Sequence, residues 1–242
     1  LEVAQSRDRL PLGQVRGGFL YNFWQDAEHV RGILRRSPLD AYAANAPRWE
    51  TILDIDALAR TENANWVFQG SDCDPSGVRC MISLSNGGLD ASTDREFDIE
   101  RRQFVQGGFV VPEAKSNIGW LDRDTLLVAT NWGEGSLTES GYPFVLKAWR
   151  RGTPLSSATE IMRGEASDVS LGVITMEDES GDHIAIATEA ETFFETVYSL
   201  ITTAGPQRIT LPRRSSIRRY FQDRLIVTLE EPWSIGGREY AS

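Results

Sequence analysis

The chain has 242 residues, 40% of them hydrophobic and 25% charged, enough to bury one large core or two small ones, so disorder is excluded as its main state. Lys and Arg number 25 against 35 Asp and Glu, a formal charge of −10 that argues against nucleic acid or an anionic membrane surface as the main partner. Apolar runs such as Leu126-Leu127-Val128-Ala129 and Ile184-Ala185-Ile186-Ala187 fall far short of the roughly 18 residues that cross a bilayer, so no membrane span is expected.

Short apolar runs bounded by Gly, Pro, Asp, Asn and Ser carry the signature of strands and turns and not a helical period. In chain order the pattern predicts strands at 18–24, 32–36 and 50–54, then at 78–84, 95–99 and 107–111. It continues with 125–130, 144–149 and 159–162, then 183–188, 196–201 and 207–211, and a last one at 224–229. Helix is confined to 39–46 and 56–63, each a turn or two.

A motif recurs ahead of the later strand groups. An aromatic or Met residue, a short Asp-containing turn and a strongly apolar strand follow one another at Trp120-Leu121-Asp122, Met176-Glu177-Asp178 and Phe221-Gln222-Asp223. Two corners share letters, Arg35-Arg36-Ser37-Pro38-Leu39 and Arg150-Arg151-Gly152-Thr153-Pro154-Leu155, about two repeats apart if one repeat is about 50 residues. The expectation is an all-β chain forming a partial β-propeller of about four to five blades, with three or four antiparallel strands in each. The blades are placed at roughly 14–60, 61–112, 113–165 and 166–212, with the start of a further one at 213–242. A propeller is stable because its ring closes. An unclosed one exposes strand edges, so the expectation is a piece of a longer polypeptide, or a chain that self-associates through open edges.

Nucleophilic hydrolysis needs a Ser or Cys, a base and an orienting carboxylate. The chain offers only His29 and His183 as imidazole bases and has no G-x-S-x-G elbow. His29 sits in a polar turn after Gln25-Asp26-Ala27-Glu28, and His183 opens a strand after Ser180-Gly181-Asp182, where capping a hairpin is the plainer role. Cys73 and Cys80 have no neighbouring His or second Cys pair, which disfavours zinc. They flank the turn sequence Asp74-Pro75-Ser76-Gly77, and so either close a disulfide across a hairpin in an oxidising compartment or stay thiols in a reducing one.

Glu177-Asp178-Glu179-Ser180-Gly181-Asp182 lacks EF-hand spacing and reads as a solvated hairpin tip. The glycine-rich stretch from Gly133 to Gly141 matches neither a P-loop nor G-x-G-x-x-G, and it lies between strands. Double arginines at 35–36, 101–102, 150–151, 213–214 and 218–219 are expected to pair with the abundant acids. Trp24, Trp66, Trp120 and Trp149 read as packing between blades, and Trp132 and Trp233 as loop residues free to make contacts. No catalytic, cofactor-binding or metal-ligating residue is therefore assigned, and no cofactor is expected.

The run Arg48-Trp49-Glu50-Thr51-Ile52-Leu53-Asp54-Ile55-Asp56-Ala57-Leu58, then Asn65-Trp66-Val67-Phe68-Gln69-Gly70 and Arg79-Cys80-Met81-Ile82-Ser83-Leu84-Ser85-Asn86-Gly87-Gly88, resembles the N-terminal propeller of bacterial prolyl-oligopeptidase-like serine peptidases. The resemblance continues through Arg95-Glu96-Phe97-Asp98, Pro112-Glu113-Ala114-Lys115-Ser116, Gly135–Pro143 and Trp149–Leu155, covering the chain from about Leu10 onward. It implies a seven-bladed propeller set over an α/β-hydrolase domain that carries a Ser, Asp and His triad. In that arrangement the propeller admits short peptides, keeps folded proteins out, and cleavage typically follows proline. No catalytic residue is carried over to any position of this chain. The implied partners are the α/β-hydrolase domain of the same full-length protein and an oligopeptide substrate. The compartment, bacterial cytoplasm or periplasm, stays open. A stand-alone propeller that binds a protein or ligand without enzymatic activity is the alternative.

Overall fold

The computed structural model describes residues 13–178 and 180–242, so the start of the family resemblance near Leu10 and Glu179 of the acidic tip lie outside the described residues. The chain divides into two compact units. One comprises the described residues up to Ser71 together with Gly77–Pro112, and the other Asp72–Ser76 with Glu113–Ser242.

In the first unit, β1 (Gly13–Arg16), β2 (Phe19–Trp24), β3 (Ile33–Pro38) and β4 (Glu50–Asp54) form an antiparallel meander in the order β1-β2-β3-β4. Two short helices follow its last two strands, α1 (Leu39–Ala43) after β3 and α2 (Ile55–Glu62) after β4. Helix α2 starts where the Asp54 carboxylate accepts the Ala57 amide, and it stops at Asn63, which adopts the left-handed conformation at φ 50°. Ile55 and Ala59 form its buried stripe. The next sheet holds β5 (Trp66–Cys73), β6 (Arg79–Asn86), β7 (Ser92–Asp98) and β8 (Gln103–Phe104) in chain order, with β9 (Val110–Ala114) also paired to β7. Cys73 and Cys80, either side of the β5–β6 turn, are disulfide-bonded.

The second unit repeats the meander with β10 (Asn117–Asp122), β11 (Thr125–Ala129), β12 (Val145–Arg150) and β13 (Thr159–Arg163), then with β14 (Ser170–Glu177), β15 (His183–Ala190), β16 (Thr196–Thr202) and β17 (Gly205–Arg208). The pair β18 (Ser215–Phe221) and β19 (Arg224–Leu229) begins another sheet, and β20 (Trp233–Ile235) pairs with β21 (Arg238–Tyr240). Its core runs from Leu127, Ala129 and Phe144–Leu146 to Leu171, Val173, Ala185, Ala187 and Ile201, joining two successive sheets face to face. All five β11 residues are buried, because a strand inside a sheet covered on both sides has no solvent face and reads as a continuous apolar run.

The sheets differ from the sequence expectation in one systematic way. Each begins one strand earlier than the apolar pattern indicates: β1, β5, β10, β14 and β18 all precede the first predicted strand of their group. The recurring aromatic or Met residue with its Asp is the end of this first strand and the turn beyond it. For β10 the reason lies in its close approach to β14. A Cβ added at Gly119 in β10 would meet Thr175 Cγ2 of β14 at 2.8 Å and Val173 Cγ1 at 3.1 Å. Gly172 of β14 faces Asn117 of β10, whose side-chain oxygen accepts the Val173 amide at 2.5 Å. Asn117 and Gly119, polar and small, erase the apolar signal at the start of β10.

Candidate functional site

The two histidines are both engaged in local structure. Asp26 Oδ1 accepts the amides of Glu28 and His29 at 2.9 and 2.8 Å, and the His29 ring lies 3.0 Å from the same oxygen. The His29 amide bond, together with that of the Trp24 indole, holds the Asp26 carboxyl well below the usual range, as expected of a turn-closing carboxylate. His183 pairs across the hairpin with Glu177, and its Nε2 lies 2.7 Å from the Trp120 carbonyl, to which it donates. Neither imidazole has a hydroxyl or thiol partner, so no nucleophile is paired with a base among the described residues.

Among the described residues no group of three or more His, Cys, Asp or Glu is placed to hold a metal ion. The acidic tip is closed on itself: Asp178 Oδ1 accepts the amides of Ser180 and Asp182 and the Ser180 hydroxyl, which hold its carboxyl below the ordinary aspartate range. The glycine-rich connection between β11 and β12 is likewise bonded internally. The buried Ser136 hydroxyl accepts the Trp132 amide at 2.9 Å and donates to the Gly133 carbonyl at 2.6 Å. Thr138 reaches the Val169 carbonyl at 3.3 Å. No described helix is long and apolar enough to cross a membrane.

The tryptophans correct two expectations. Trp132 packs against the core and donates its indole N–H to the Val145 carbonyl at 3.0 Å, so it anchors the long loop instead of standing free for contacts. Trp233 lies in strand β20 with its ring centroid 6.0 Å from that of Tyr240. Trp120 is completely buried and donates to the Asp72 carbonyl at 3.0 Å, while Trp149 bonds the Thr153 carbonyl.

The paired arginines divide into two kinds. Arg36 is nearly buried, lies 4.3 Å from the centre of the Phe19 ring and bridges two carboxylates: Nη1 reaches Glu100 at 2.6 Å, and Nε bonds Glu50. Hydrogen bonding to Glu100 raises the Arg36 pKa further, and the Arg36 bond in turn lowers both Glu100 and Glu50. Arg102, Arg151 and Arg213 also meet acids, at Glu50, Asp124 and Glu191. Arg35 departs from the expected acid pairing. It is sandwiched between Trp24 and Trp49, 4.1 and 4.2 Å from their ring centres, and its Nε donates to Asn22 at 3.0 Å.

The concave feature that sequence reasoning missed lies in the first unit, between the first strands of its two sheets. It encloses about 270 Å³ and is floored by the stacked rings of Phe23 and Phe68, 4.5 Å apart and 15° from parallel. Arg16 projects beside it over Tyr21. Nothing in the short run Gly13–Arg16 signals such a site, because the cavity is made by residues up to 58 positions apart, from Gly13 to Ser71.

Comparison with known proteins places these sheets. The family described as "Prolyl oligopeptidase, N-terminal beta-propeller domain" matches residues 2–231. A protein named uncharacterized peptidase y4nA, from Sinorhizobium fredii, is 37% identical over 241 residues, covering 97% of this chain and 33% of that protein. A second uncharacterized peptidase, from Rickettsia prowazekii, is 28% identical over 91% of this chain and 32% of its own length. The chain thus spans about a third of the length of the curated relatives it matches. Among solved structures, a post-proline cleaving enzyme from Rickettsia typhi superposes with a TM-score of 0.88 over 99% of this chain and 37% of that one, at 23% identity. The β-propeller domain of the Trilobed protease from Pyrococcus furiosus gives 0.56 over 93% of this chain and 65% of that one, at 12% identity. These likenesses show the fold, an all-β partial propeller. With a family match that runs through nearly every sheet, the chain belongs to the prolyl oligopeptidase family as its N-terminal β-propeller domain.

Proposed function

We propose that this chain is the non-catalytic gating domain of a prolyl-oligopeptidase-like serine endopeptidase that hydrolyses short peptides, typically after proline. Its partner is an α/β-hydrolase domain of the same full-length protein, which supplies the nucleophile, the base and the orienting acid. The propeller's part is to admit an oligopeptide and turn away folded proteins. Its blades are taken as 14–60, 61–112, 113–165 and 166–212, with a further one opening at 213–242. The observation that carries this reading is the family match over residues 2–231, in a chain whose histidines are spent on a turn carboxylate and a backbone carbonyl.

The experiment compares this chain with its full-length parent on a fluorogenic proline-containing peptide and on a folded protein. The expected result is no turnover by the chain alone, and cleavage of the peptide but not of the folded protein by the parent. Hydrolysis by the chain itself would refute the reading. So would a parent with no peptidase activity, which would favour a stand-alone binding propeller. The net charge of −10 supports a bias toward basic peptides. Equal rates on charge-reversed substrates would remove that bias. Open strand edges give a reason for self-association, read by size-exclusion chromatography with light scattering.

A further inference from the structure

The cavity beside Arg16 has a composition unlike the rest of this acidic chain. It contains one arginine and no Asp or Glu, although acids outnumber bases 35 to 25 overall. The Arg16 guanidinium lies 4.5 Å from the Tyr21 ring centre, and its Nε is buried with no hydrogen-bond partner among the described residues. A buried charged donor without a partner is costly, so the arrangement favours an acceptor arriving from outside. The stem of Arg16 is accommodated by Gly77, at φ +70°: a Cβ there would meet Arg16 Cδ at 2.8 Å. Beside the cation lie the stacked Phe23 and Phe68 rings, and the polar side chains of Gln14 and Ser71 complete the rim.

We propose that this cavity captures the C-terminal end of a short peptide, with the free α-carboxylate on Arg16 and an apolar last side chain on the Phe23–Phe68 pair. A planar guanidinium matches a carboxylate with two parallel N–H···O bonds. The stacked rings offer an apolar face to one side chain. The volume of about 270 Å³ lies below the range of drug-sized pockets, which limits the occupant to about one residue and its carboxylate. The proposal rests on the gating role above and deepens it: a peptide with a free end is held at the propeller before it reaches the hydrolase domain.

The test titrates this chain with acetyl-Ala-Phe bearing a free carboxylate, with the same peptide as its C-terminal amide, and with acetate, by calorimetry. The free acid is expected to bind at least roughly tenfold more tightly than either the amide or acetate. Arg16→Gln should abolish the preference for acid over amide, and Arg16→Lys should keep part of it. Gln14→Glu, at an exposed rim position, should weaken the acid more than the amide and so narrow the preference, with folding verified by circular dichroism for every variant. Equal binding of acid and amide, no binding of the acid, or an unchanged preference in Arg16→Gln would each overturn the proposal. Acetate binding as tightly as the peptide would overturn the part assigned to the aromatic pair. A parent enzyme that cleaves folded proteins while this chain keeps its acid preference would sink the gating role and leave the site standing.

Discussion

Gly119 gives the most direct test of how the first strands of neighbouring sheets are packed. In a strand with an ordinary backbone, replacing Gly by Ala tends to stabilise a protein by about 0.4–1 kcal/mol, because the unfolded chain loses freedom. Here the sign should reverse. The new methyl would lie 2.8 Å from Thr175 Cγ2 and 3.1 Å from Val173 Cγ1, both on β-branched side chains that cannot swing aside freely. Overpacking of this kind costs roughly 1–3 kcal/mol, so Gly119→Ala should be net destabilising by about 1–2 kcal/mol and lower Tm by roughly 2–4 °C for each kcal/mol. Thr175→Ser removes the offending methyl and keeps the hydroxyl that bonds Asp72 Oδ1 at 3.2 Å. The double variant should therefore recover on the order of 1 kcal/mol relative to the sum of the single changes. Guanidinium denaturation followed by tryptophan fluorescence, with all four proteins in one cycle, measures it. A neutral or stabilised Gly119→Ala, or a cycle that closes additively, would refute the close approach.

Three further outcomes are expected. Burial, the largest influence on Asp94, raises its carboxyl above the ordinary aspartate value of 3.8, so its charged form weakens the fold at high pH and not at low pH. The stability of Asp94→Asn relative to the parent chain should therefore improve as pH rises from about 3.8 through the raised value and level off above it, and a gap constant with pH in denaturation curves would contradict this. Arg36→Met should cost on the order of 1 kcal/mol, since Glu50 and Glu100 are partly exposed and regain water. Because those acids are lowered in the fold, that difference should be present above their ordinary value of 4.5 and fade as pH falls through the lowered values. Closing the short Cys73–Cys80 loop should contribute about 2–3 kcal/mol in the chain-entropy treatment, so reductant should lower the denaturation midpoint, and thiol titration of the unreduced, unfolded chain should find no free thiol.

Leu126-Leu127-Val128-Ala129 announces β11 because both its faces are covered, and the predicted 50–54 and 196–201 strands coincide with β4 and most of β16, where Ile52 and Leu53 and then Val197, Tyr198 and Ser199 are buried. The two short helices, 39–43 and 55–62, also fall on the segments 39–46 and 56–63 that the sequence marks as helical. What escaped were the first strands, and in β10 the cause is visible: the polar and small residues of Asn117-Ile118-Gly119 answer to a neighbour's proximity and not to hydropathy. Trp132 was misjudged for the same kind of reason: a loop position says nothing about a carbonyl 13 residues onward that takes its indole proton.

Composition, turn residues and the roughly 50-residue recurrence were enough by themselves to determine that this chain is built of repeated antiparallel meanders and lacks the residue pattern of a hydrolase elbow. Those properties depend on neighbours along the chain. Tertiary structure alone decided that Arg36 clamps Glu50 and Glu100, that Arg35 lies between two indoles, and that the buried Nε of Arg16, near stacked phenylalanines, has no hydrogen-bond partner among the described residues. The strength of a charge depends on what surrounds it in space, and those surroundings come from strands distant in sequence.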